Sequence, residues 1–218
     1  MIAAGRVSVN GMMATTGQEV TPGADDVRVD GEAIRPPVRP TYLLLNKPVG
    51  VLSAVGDGRR RRTVVDGLPG DIGRVFPVGR LDLDSRGLIL LTDDGELAAR
   101  LMHPRYHVEK EYVVRISGRP DRSSLRRLAE GMVVDGETFA PVAVQILDSG
   151  SVESRLCMVL REGKRREIRR LWQALGHRVL DLQRVRLGGL RLGDLPEGSW
   201  RPLDPGELEG LRAAAGLR

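Results

Sequence analysis

Residues 79–95 have the sequence Gly-Arg-Leu-Asp-Leu-Asp-Ser-Arg-Gly-Leu-Ile-Leu-Leu-Thr-Asp-Asp-Gly. Asp82 lies in a short polar turn, and the apolar run of residues 87–92 that follows predicts a buried strand. Asp94 comes directly after this strand, where it can serve as the N-cap of a helix. A carboxylate on a tight turn that leads into a core strand is held by rigid structure at both ends. This placement makes Asp82 a candidate catalytic residue.

Spacing alone is also compatible with two further roles for Asp82. It can be an ordinary turn residue, because aspartate is common in polar turns. It can also join Asp84, Asp93 and Asp94 in a Mg²⁺ site, since carboxylate oxygens are ligands that this ion prefers. The intervening strand, however, separates the two pairs by roughly 20 Å at about 3.3 Å per residue. A metal site shared by all four is therefore disfavoured, and a Mg²⁺-dependent nuclease stays a rival hypothesis.

The strand pattern continues on the C-terminal side of this stretch. Residues 111–116 alternate between apolar and polar side chains, which predicts a strand with Tyr112 on its apolar face. Residues 132–147 predict two strands around a turn at Asp135-Gly136. From spacing alone, Tyr112 is explained as a core aromatic whose hydroxyl reaches the surface.

Helical signals fall between the predicted strands, at residues 94–102, 121–130 and 165–175 and from residue 204 onward. In the third helix apolar side chains recur at positions 168, 171, 172 and 175, which predicts an amphipathic helix. Arg169 then lies on the polar side, where a solvated arginine is the simplest interpretation. Strands and hairpin turns outnumber crossover helices, so the sequence predicts an α+β domain with a mixed, mainly antiparallel sheet.

The N-terminal part of the chain differs from the rest. Residues 1–35 predict a small β-rich unit, in which an Asn10-Gly11 turn follows an alternating strand. The proline-rich segment 36–41 cannot continue a strand or a helix and is predicted to be a linker. Residues 42–218 then form the main domain, and a chain of 218 residues is long enough for one sizeable domain and a small one.

Composition excludes several classes of protein. The single cysteine, Cys157, rules out a disulfide framework and a multi-cysteine zinc site. The three histidines include no His-x-x-x-His pair, which disfavours a metal centre. The sequence has no apolar stretch long enough to span a membrane and no evident signal peptide, so we expect a cytoplasmic protein without a membrane partner.

Positive charge is concentrated in two places. The formal net charge is +5, yet residues 155–191 alone contain eleven Lys or Arg against three acidic residues. The run Arg59-Arg60-Arg61-Arg62 adds a second cluster. Clustered positive charge predicts a polyanionic partner, and nucleic acid is the leading candidate because the sequence lacks the signature of a lipid-binding helix.

Five stretches in this order resemble the pseudouridine synthases that modify ribosomal RNA, in the branch of the small-subunit synthase and its large-subunit relatives. They are Leu44-Leu45-Asn46-Lys47-Pro48-Val49-Gly50, Phe76-Pro77-Val78-Gly79-Arg80-Leu81-Asp82, residues 87–95, Lys110-Glu111-Tyr112, and residues 162–172, Glu-Gly-Lys-Arg-Arg-Glu-Ile-Arg-Arg-Leu-Trp. The resemblance spans residues 42 to about 203 and implies the pseudouridine synthase fold.

The resemblance implies a role for each of three residues. Asp82 would be the catalytic aspartate, Arg169 the basic partner that pairs with it, and Tyr112 the aromatic that lies against the target base. The reaction breaks the N-glycosidic bond of uridine, rotates the uracil and rejoins it through C5, so no cofactor is expected. Asp82 would attack the anomeric carbon or take a proton from the neighbouring ribose carbon, and the sequence leaves both routes open.

Basic residues in and around these stretches are the predicted RNA contacts. They are Lys47, Arg59, Arg60, Arg61, Arg62, Arg80, Lys164, Arg165, Arg166 and Arg170. The expected partner is ribosomal RNA or a ribosome assembly intermediate. Residues 95–104 look more like the large-subunit members of the branch, which favours large-subunit RNA. A ribosome-binding module that has lost catalysis is the main alternative, although Asp82, Tyr112 and Arg169 are all present.

Residues 5–34 resemble the second half of the small RNA-binding module, of the alpha-L type, that precedes the catalytic domain in this branch. The chain departs from the branch at two points. The opening helices of the module are absent from the sequence, so we expect a partial module: either the true start lies upstream or the module is degenerate. Ser85 stands where the family often has threonine, and the hydroxyl is retained.

Overall fold

The computed structural model describes residues 1–21, 23–34, 40–59 and 61–217. Most of the predicted linker and Arg60 of the basic run lie outside the described residues. The chain divides into two units, Met1–Pro40 and Thr41–Arg218. Neither this division nor the fold of the first unit establishes an RNA-binding module, so the assignment of residues 1–35 stays a prediction.

The first unit is a small antiparallel sheet. A 3-10 helix at Ile2–Ala4 precedes strands β1 (Val7–Val9), β2 (Met12–Met13), β3 (Val27–Val29) and β4 (Glu32–Ala33), in the order β2-β1-β3-β4. The Asn10-Gly11 turn between β1 and β2 has positive φ at both residues (50° and 81°), as the hairpin signal in the sequence predicts. Asp30-Gly31 forms the same kind of turn between β3 and β4.

The second unit contains the remaining strands and all four α-helices of the described chain. The strands are β5 (Tyr42–Lys47), β6 (Phe76–Val78), β7 (Arg86–Thr92), β8 (Lys110–Ser117), β9 (Met132–Val134), β10 (Glu137–Phe139), β11 (Ala143–Ser149), β12 (Glu153–Leu160), β13 (Val179–Leu187), β14 (Leu190–Arg191) and β15 (Trp200–Pro202). The helices are α1 (Gly95–Met102), α2 (Arg122–Glu130), α3 (Glu167–Ala174) and α4 (Pro205–Ala214), with short 3-10 helices at Gly70–Ile72 and Pro104–Tyr106.

One nine-stranded sheet forms the centre of this unit. Its main path runs β11-β12-β8-β13-β7-β5-β15, with β14 paired to β13 and β6 paired to β7. Strands β7 and β13 are parallel, and the other pairs in the sheet are antiparallel. The prediction of an α+β domain with a mixed, mainly antiparallel sheet is therefore confirmed.

The middle of the sheet is covered on both faces. Alternate residues of β5 and β7 belong to two separate apolar clusters, so Ile89 packs with α3 residues and Leu90 packs with α1 and α4 residues. The four residues from Leu88 to Leu91 are fully buried. This explains why β7 has a continuous apolar run instead of an alternating one.

Strands β7 and β13 meet at a very close approach. Gln183 and Arg184 of β13 pair with Arg86 and Gly87, which are the first two residues of β7. Gly87 has φ 107°, and a Cβ added to it would lie 2.3 Å from the carbonyl oxygen of Arg184. Only glycine fits at this position, because any side chain would push the two strands apart.

The ends of the helices agree with the sequence signals in three cases. Asp94, Asp121 and Asp204 each accept a hydrogen bond from a backbone N–H in the first turn of α1, α2 and α4. Helix α3 begins at Glu167 instead of Arg165, because Arg166 adopts a left-handed conformation with φ 52°. None of the helices in the described ranges is long and apolar enough to cross a membrane.

The prediction of two strands over residues 132–147 is wrong in number. Three strands occur there, because the chain leaves β10 after Phe139 and β11 begins at Ala143. Pro141 lies in the gap and lacks the N–H that would continue the ladder. The predicted turn at Asp135-Gly136 does join β9 to β10.

Candidate active site

Asp82 lies in the turn that enters β7. The Ser85 N–H donates to the carbonyl oxygen of Asp82 at 3.1 Å and closes the turn, which leads directly into Arg86 at the start of the strand. The Asp82 side chain is about one-third exposed (34%), so its carboxylate reaches solvent at the surface of a cleft. The turn is therefore both anchored and accessible.

Every carbonyl oxygen from Leu81 to Ser85 accepts a hydrogen bond. The donors, in chain order, are Ser53 Oγ at 3.0 Å, Ser85 N at 3.1 Å, Gly50 N at 2.8 Å, Arg169 Nη2 at 2.7 Å and Lys47 Nζ at 2.6 Å. Four of these donors come from outside the turn. The backbone that carries Asp82 is thus fixed before any substrate arrives, which is the preorganisation that a reacting group requires.

Lys47, one of the predicted RNA contacts, bonds to the backbone of this turn. Its side chain is fully buried, and its ammonium donates to the carbonyl oxygens of Ser85 and Pro48. Burial lowers the pKa of Lys47 to about 8, although the nearby carboxylates of Asp82 and Asp84 act in the opposite direction. This geometry gives no support to a phosphate contact by Lys47, because its ammonium is buried, and its RNA-binding role stays a prediction.

Tyr112 lies in the middle of the sheet, next to the same cleft. It is on β8 opposite Arg184 of β13, and only 8% of its surface is exposed. Burial raises the pKa of Tyr112, while the charge of Arg184 beside it acts in the opposite direction. The sequence prediction of Tyr112 on the buried face of its strand is confirmed.

Asp82 and Tyr112 line one cleft of about 550 Å³. Its remaining lining residues are Arg80, Leu81, Ser85, Leu160, Gly163, Lys164, Arg165, Arg166, Glu167, Ile168 and Leu182. The volume lies in the range of about 300–1,000 Å³ that is typical of ligand sites. The structure thus brings the carboxylate, the aromatic ring and a group of cations to one surface, as three of the five sequence stretches require.

Arg169 does not make the predicted ion pair with Asp82. Its guanidinium donates to the Asp84 carbonyl oxygen and to Ser85 Oγ, and its Nε lies 3.4 Å from the Asp84 carboxylate. The side chain is only 13% exposed, so it is not a solvated arginine either. Arg169 does not reach the Asp82 carboxylate because α3 directs its side chain toward the backbone of the turn.

Arg166 is the cation within 4 Å of the Asp82 carboxylate in the described structure. Its Nη1 lies 3.8 Å from Asp82 Oδ2, and the same guanidinium forms a two-armed ion pair with Asp84 at 3.0–3.2 Å. Burial alone would raise the pKa of Asp84, but the hydrogen bonds from Arg166 and the charge of Arg169 outweigh it and lower that pKa. Asp84 therefore stays negative and holds both arginines beside Asp82.

The other predicted RNA contacts divide into two groups. Arg80 and Arg165 are exposed on the rim of the cleft, where a phosphate can reach them, whereas Lys164 lines the cleft with its ammonium bonded to Glu162 and to the Thr138 carbonyl oxygen. Arg170 instead binds Asp135, Glu137 and the Val134 carbonyl oxygen, and so ties α3 to the β9–β10 hairpin. This geometry gives no support to an RNA contact by Arg170, because the protein occupies its donors, and that role stays a prediction.

The basic run before the cleft is partly described. Arg59 and Arg62 are exposed, and Arg61 forms an ion pair with Asp57 at 2.8 Å. Arg60 lies outside the described residues. A role of this run in RNA binding stays a prediction.

The four carboxylates of the rival metal site lie at opposite ends of β7. Asp93 accepts from the Thr41 N–H, whereas Asp94 caps α1 and accepts from the Tyr42 hydroxyl. Both lie at the far end of β7 from Asp82 and Asp84. Among the residues that the structure describes, no three His, Cys, Asp or Glu side chains are grouped in a way that could hold a metal ion. The geometry therefore gives no support to a nuclease site made from these four.

Sequence reasoning missed two groups at this site. Ser53 Oγ bonds to both the N–H and the carbonyl oxygen of Leu81, and the buried Glu167 lines the cleft with a pKa that burial raises.

The amino-acid composition carried a signal for the lysines of the site. The chain has 34 basic residues of which only Lys47, Lys110 and Lys164 are lysine, and all three lie at or next to the cleft.

Comparisons with known proteins agree with this geometry. The family model described as RNA pseudouridylate synthase matches residues 41–174. The chain is 39% identical to the Bacillus subtilis (strain 168) protein named ribosomal large subunit pseudouridine synthase B, over 99% of this chain and 88% of that protein. It is 42% identical to the Escherichia coli (strain K12) protein of the same name, over 97% of this chain and 75% of that protein.

A solved structure extends the agreement to the fold. A crystal structure described as that of a pseudouridylate synthase superimposes with a TM-score of 0.75 and 30% sequence identity, over 96% of this chain and 90% of that chain. The matched region of the family model includes the Asp82 turn, Tyr112 and Arg169. On the strength of the family match and of relatives that align over nearly the whole chain, this protein belongs to the RNA pseudouridylate synthase family.

Proposed function

We propose that this protein converts uridine to pseudouridine in ribosomal RNA of the large subunit, with Asp82 as the reacting carboxylate. The observation that carries the proposal is the single cleft that Asp82 and Tyr112 line together, with cations around its rim. Two relatives with about 40% identity over nearly the whole chain carry names that specify the large ribosomal subunit. The reaction is an isomerisation without redox change or group transfer, so it requires no cofactor.

The geometry supports a distinct role for each residue. The fixed backbone of the turn holds the Asp82 carboxylate at the cleft, where it would attack the anomeric carbon or remove the proton of the neighbouring ribose carbon. The Tyr112 ring forms an apolar wall on which a flipped uracil can stack while it rotates. Arg166 would supply positive charge beside Asp82, and Arg169 would keep the turn in place through the Asp84 carbonyl oxygen.

Extruding a nucleotide from an RNA helix or loop costs a few kcal/mol. Phosphate contacts from Arg80 and Arg165 on the rim would offset this cost. Binding should then weaken steeply with salt, because each neutralised phosphate releases counterions. A protein that modifies ribosomal RNA works where ribosomes are made, so we expect it in the cytoplasm.

Residues 1–35 would act as a partial RNA-binding module that increases capture of the substrate. The support is the resemblance of residues 5–34 to the second half of such a module. We propose that this unit raises affinity and leaves the choice of uridine to the catalytic unit.

The decisive experiment maps pseudouridine in ribosomal RNA from cells with and without this gene. We expect one or a few large-subunit positions to lose the modification on deletion and to regain it with the wild-type gene. Purified protein should also modify unmodified large-subunit RNA in the presence of EDTA. Identical maps from the two strains would overturn the proposed function, and loss of activity on chelation would favour a metal-dependent reaction.

A further inference from the structure

A second cavity of about 460 Å³ adjoins the catalytic cleft. Arg80, Tyr112, Gly163 and Lys164 line both spaces, so one tyrosine and one short loop separate them. The roles proposed above for Asp82 and its neighbours make no use of this cavity. It is large enough for a second nucleotide, and it shares Tyr112 with the catalytic cleft.

One wall of the second cavity is apolar. Leu101 and Met102 at the end of α1, Pro104 in the following 3-10 helix, and Leu187 at the end of β13 form this wall. Met102 is 46% exposed, so its side chain is accessible from the cavity. A flat apolar group such as a nucleobase would cover this surface.

The same cavity is also lined by positive charge. Arg184 is only 3% exposed, and its Nε donates to the Leu88 carbonyl oxygen at 2.7 Å. Its Nη2 has no hydrogen-bond partner among the residues that the structure describes. Lys110 lines the same cavity, and burial together with the charge of Arg184 lowers the pKa of Lys110. A buried arginine with an unfilled donor, beside a half-buried lysine, favours an anionic or carbonyl oxygen as ligand.

The balance of charge around the cavity points the same way. Five cations line it, namely Arg80, Lys110, Arg161, Lys164 and Arg184, against a single acid, Glu162. Glu162 is already paired with Lys164 at 2.7 Å. A cavity lined by both apolar side chains and cations matches a nucleotide, which carries an apolar base face and a phosphate.

We propose that the second cavity binds the unpaired nucleotide directly next to the target uridine, with its base on the Met102 wall and its oxygens toward Arg184. This inference rests on the proposed function, because it places one nucleotide of the same RNA beside the one in the cleft. The neighbour then contributes to the choice of uridine: a uridine whose neighbour cannot leave its helix would fill only one of the two sites.

The test combines one protein variant with one change in the RNA. The RNA is a stem-loop around a uridine identified by mapping, made with its natural neighbours and with an abasic nucleotide at either neighbouring position. Met102→Glu places a negative charge on the apolar wall. Val152→Glu is the matched control, because Val152 is 81% exposed and lies away from the residues that line either space.

For the wild-type protein we expect one of the two abasic RNAs to react with kcat/KM lower by about tenfold, in line with the loss of one stacked base. Met102→Glu should lower kcat/KM on the natural RNA by a similar factor and change it less than about twofold on that abasic RNA. Val152→Glu should match wild type on every RNA.

The outcomes separate the two proposals. Wild-type protein that forms no pseudouridine in any ribosomal RNA overturns the proposed function. Wild-type protein that is active but accepts both abasic RNAs as well as the natural one overturns only the second nucleotide site. Equal losses for Met102→Glu on natural and abasic RNA would do the same, and the wild-type comparison holds even where that variant is unstable.

Discussion

Asp82 is the residue on which the proposed reaction depends. Spacing alone makes it a turn aspartate, and its order among five family-like stretches makes it the candidate catalyst. The structure adds the reason why it suits that role. Each carbonyl oxygen of the turn is held by a donor, so the backbone is fixed while the partly exposed side chain can interact with a substrate.

Asp82→Asn should abolish pseudouridine formation without unfolding the protein. The amide keeps the size of the carboxylate but cannot act as nucleophile or base, so we expect kcat to fall by at least about a thousandfold. Stability should change by less than about 1 kcal/mol, because the site is partly exposed. The control is Asp94→Ala, which removes the cap of α1 and should cost about 1 kcal/mol of stability while activity persists. An active Asp82→Asn protein would refute the catalytic assignment.

Arg169→Ala should lower kcat more than it weakens RNA binding. The side chain is largely buried and holds the backbone of the Asp82 turn, so its loss would leave the carboxylate poorly placed. We expect kcat to drop by about tenfold or more with a change in KM of less than about threefold. Arg165→Ala, on the exposed rim, is the comparison and should raise KM with little change in kcat. A loss in Arg169→Ala that is confined to KM would make Arg169 an RNA contact instead.

Lys47→Met should alter how stability depends on pH. In the folded protein burial lowers the pKa of Lys47 to about 8, whereas an unfolded lysine titrates near about 10.4. Between these values the unfolded chain binds one more proton than the native state, so wild-type stability rises with pH. The free-energy cost of burying the charged Lys47 side chain is fully present below about pH 8 and disappears above about pH 10.4.

Urea unfolding at pH 8 and at pH 10 measures this effect as a difference between proteins. Wild type should gain up to about 3 kcal/mol relative to Lys47→Met over the interval. Arg165→Met is the control, because it also removes a cation but one that does not titrate in this range. If the unfolding free energies of wild type and Lys47→Met depended on pH in the same way, the pKa of Lys47 would not be lowered in the folded protein.

At the scale of elements, the sequence predicted what local chemistry determines. Asp94, Asp121 and Asp204 were recognisable as helix caps, and Asn10-Gly11 as a hairpin turn, because each depends on a few adjacent residues. The delayed start of α3 was not predictable. Arg166 is held in a left-handed conformation while its side chain bonds to Asp84 on a distant turn, and no local pattern indicates such a contact.

Gly87→Ala tests the contact between β7 and β13. A Cβ would meet the Arg184 backbone at 2.3 Å, and the φ of 107° is unfavourable for alanine. We expect a loss of about 3 kcal/mol or more in stability, since neither backbone can move without separating the strands. Gly95→Ala is the control, because a Cβ there meets no atom within 4 Å and its φ is ordinary. Equal melting temperatures for the two variants would contradict the close approach.

At the scale of the molecule, charge pattern predicted the partner better than it predicted the individual contacts. The excess of arginine over residues 155–191 indicated a polyanion, and the cleft does have a cationic rim. Lys47 and Arg170, which were predicted to contact RNA, instead bond to groups of the protein. A sequence shows that a residue is charged, whereas its burial and its ion-pair partners depend on strands and helices far away in the chain.

Removal of residues 1–35 tests the division of the molecule. The second unit has its own sheet and both apolar clusters, so the shortened protein should fold with little change in melting temperature. We expect weaker RNA binding, by about tenfold, with the same uridine modified. Filter binding and pseudouridine mapping measure the two quantities. A shortened protein that fails to fold would contradict the predicted boundary.

The approach of β7 to β13 also bears on how sequence variation in this protein should be interpreted. If each position from 79 to 95 were randomised and functional clones selected, Gly87 would tolerate as little change as Asp82. The two positions would look alike in such a selection, although one is restricted by chemistry and the other by the distance between two backbones. Invariance in this stretch is therefore no guide to catalysis unless the space around each residue is known.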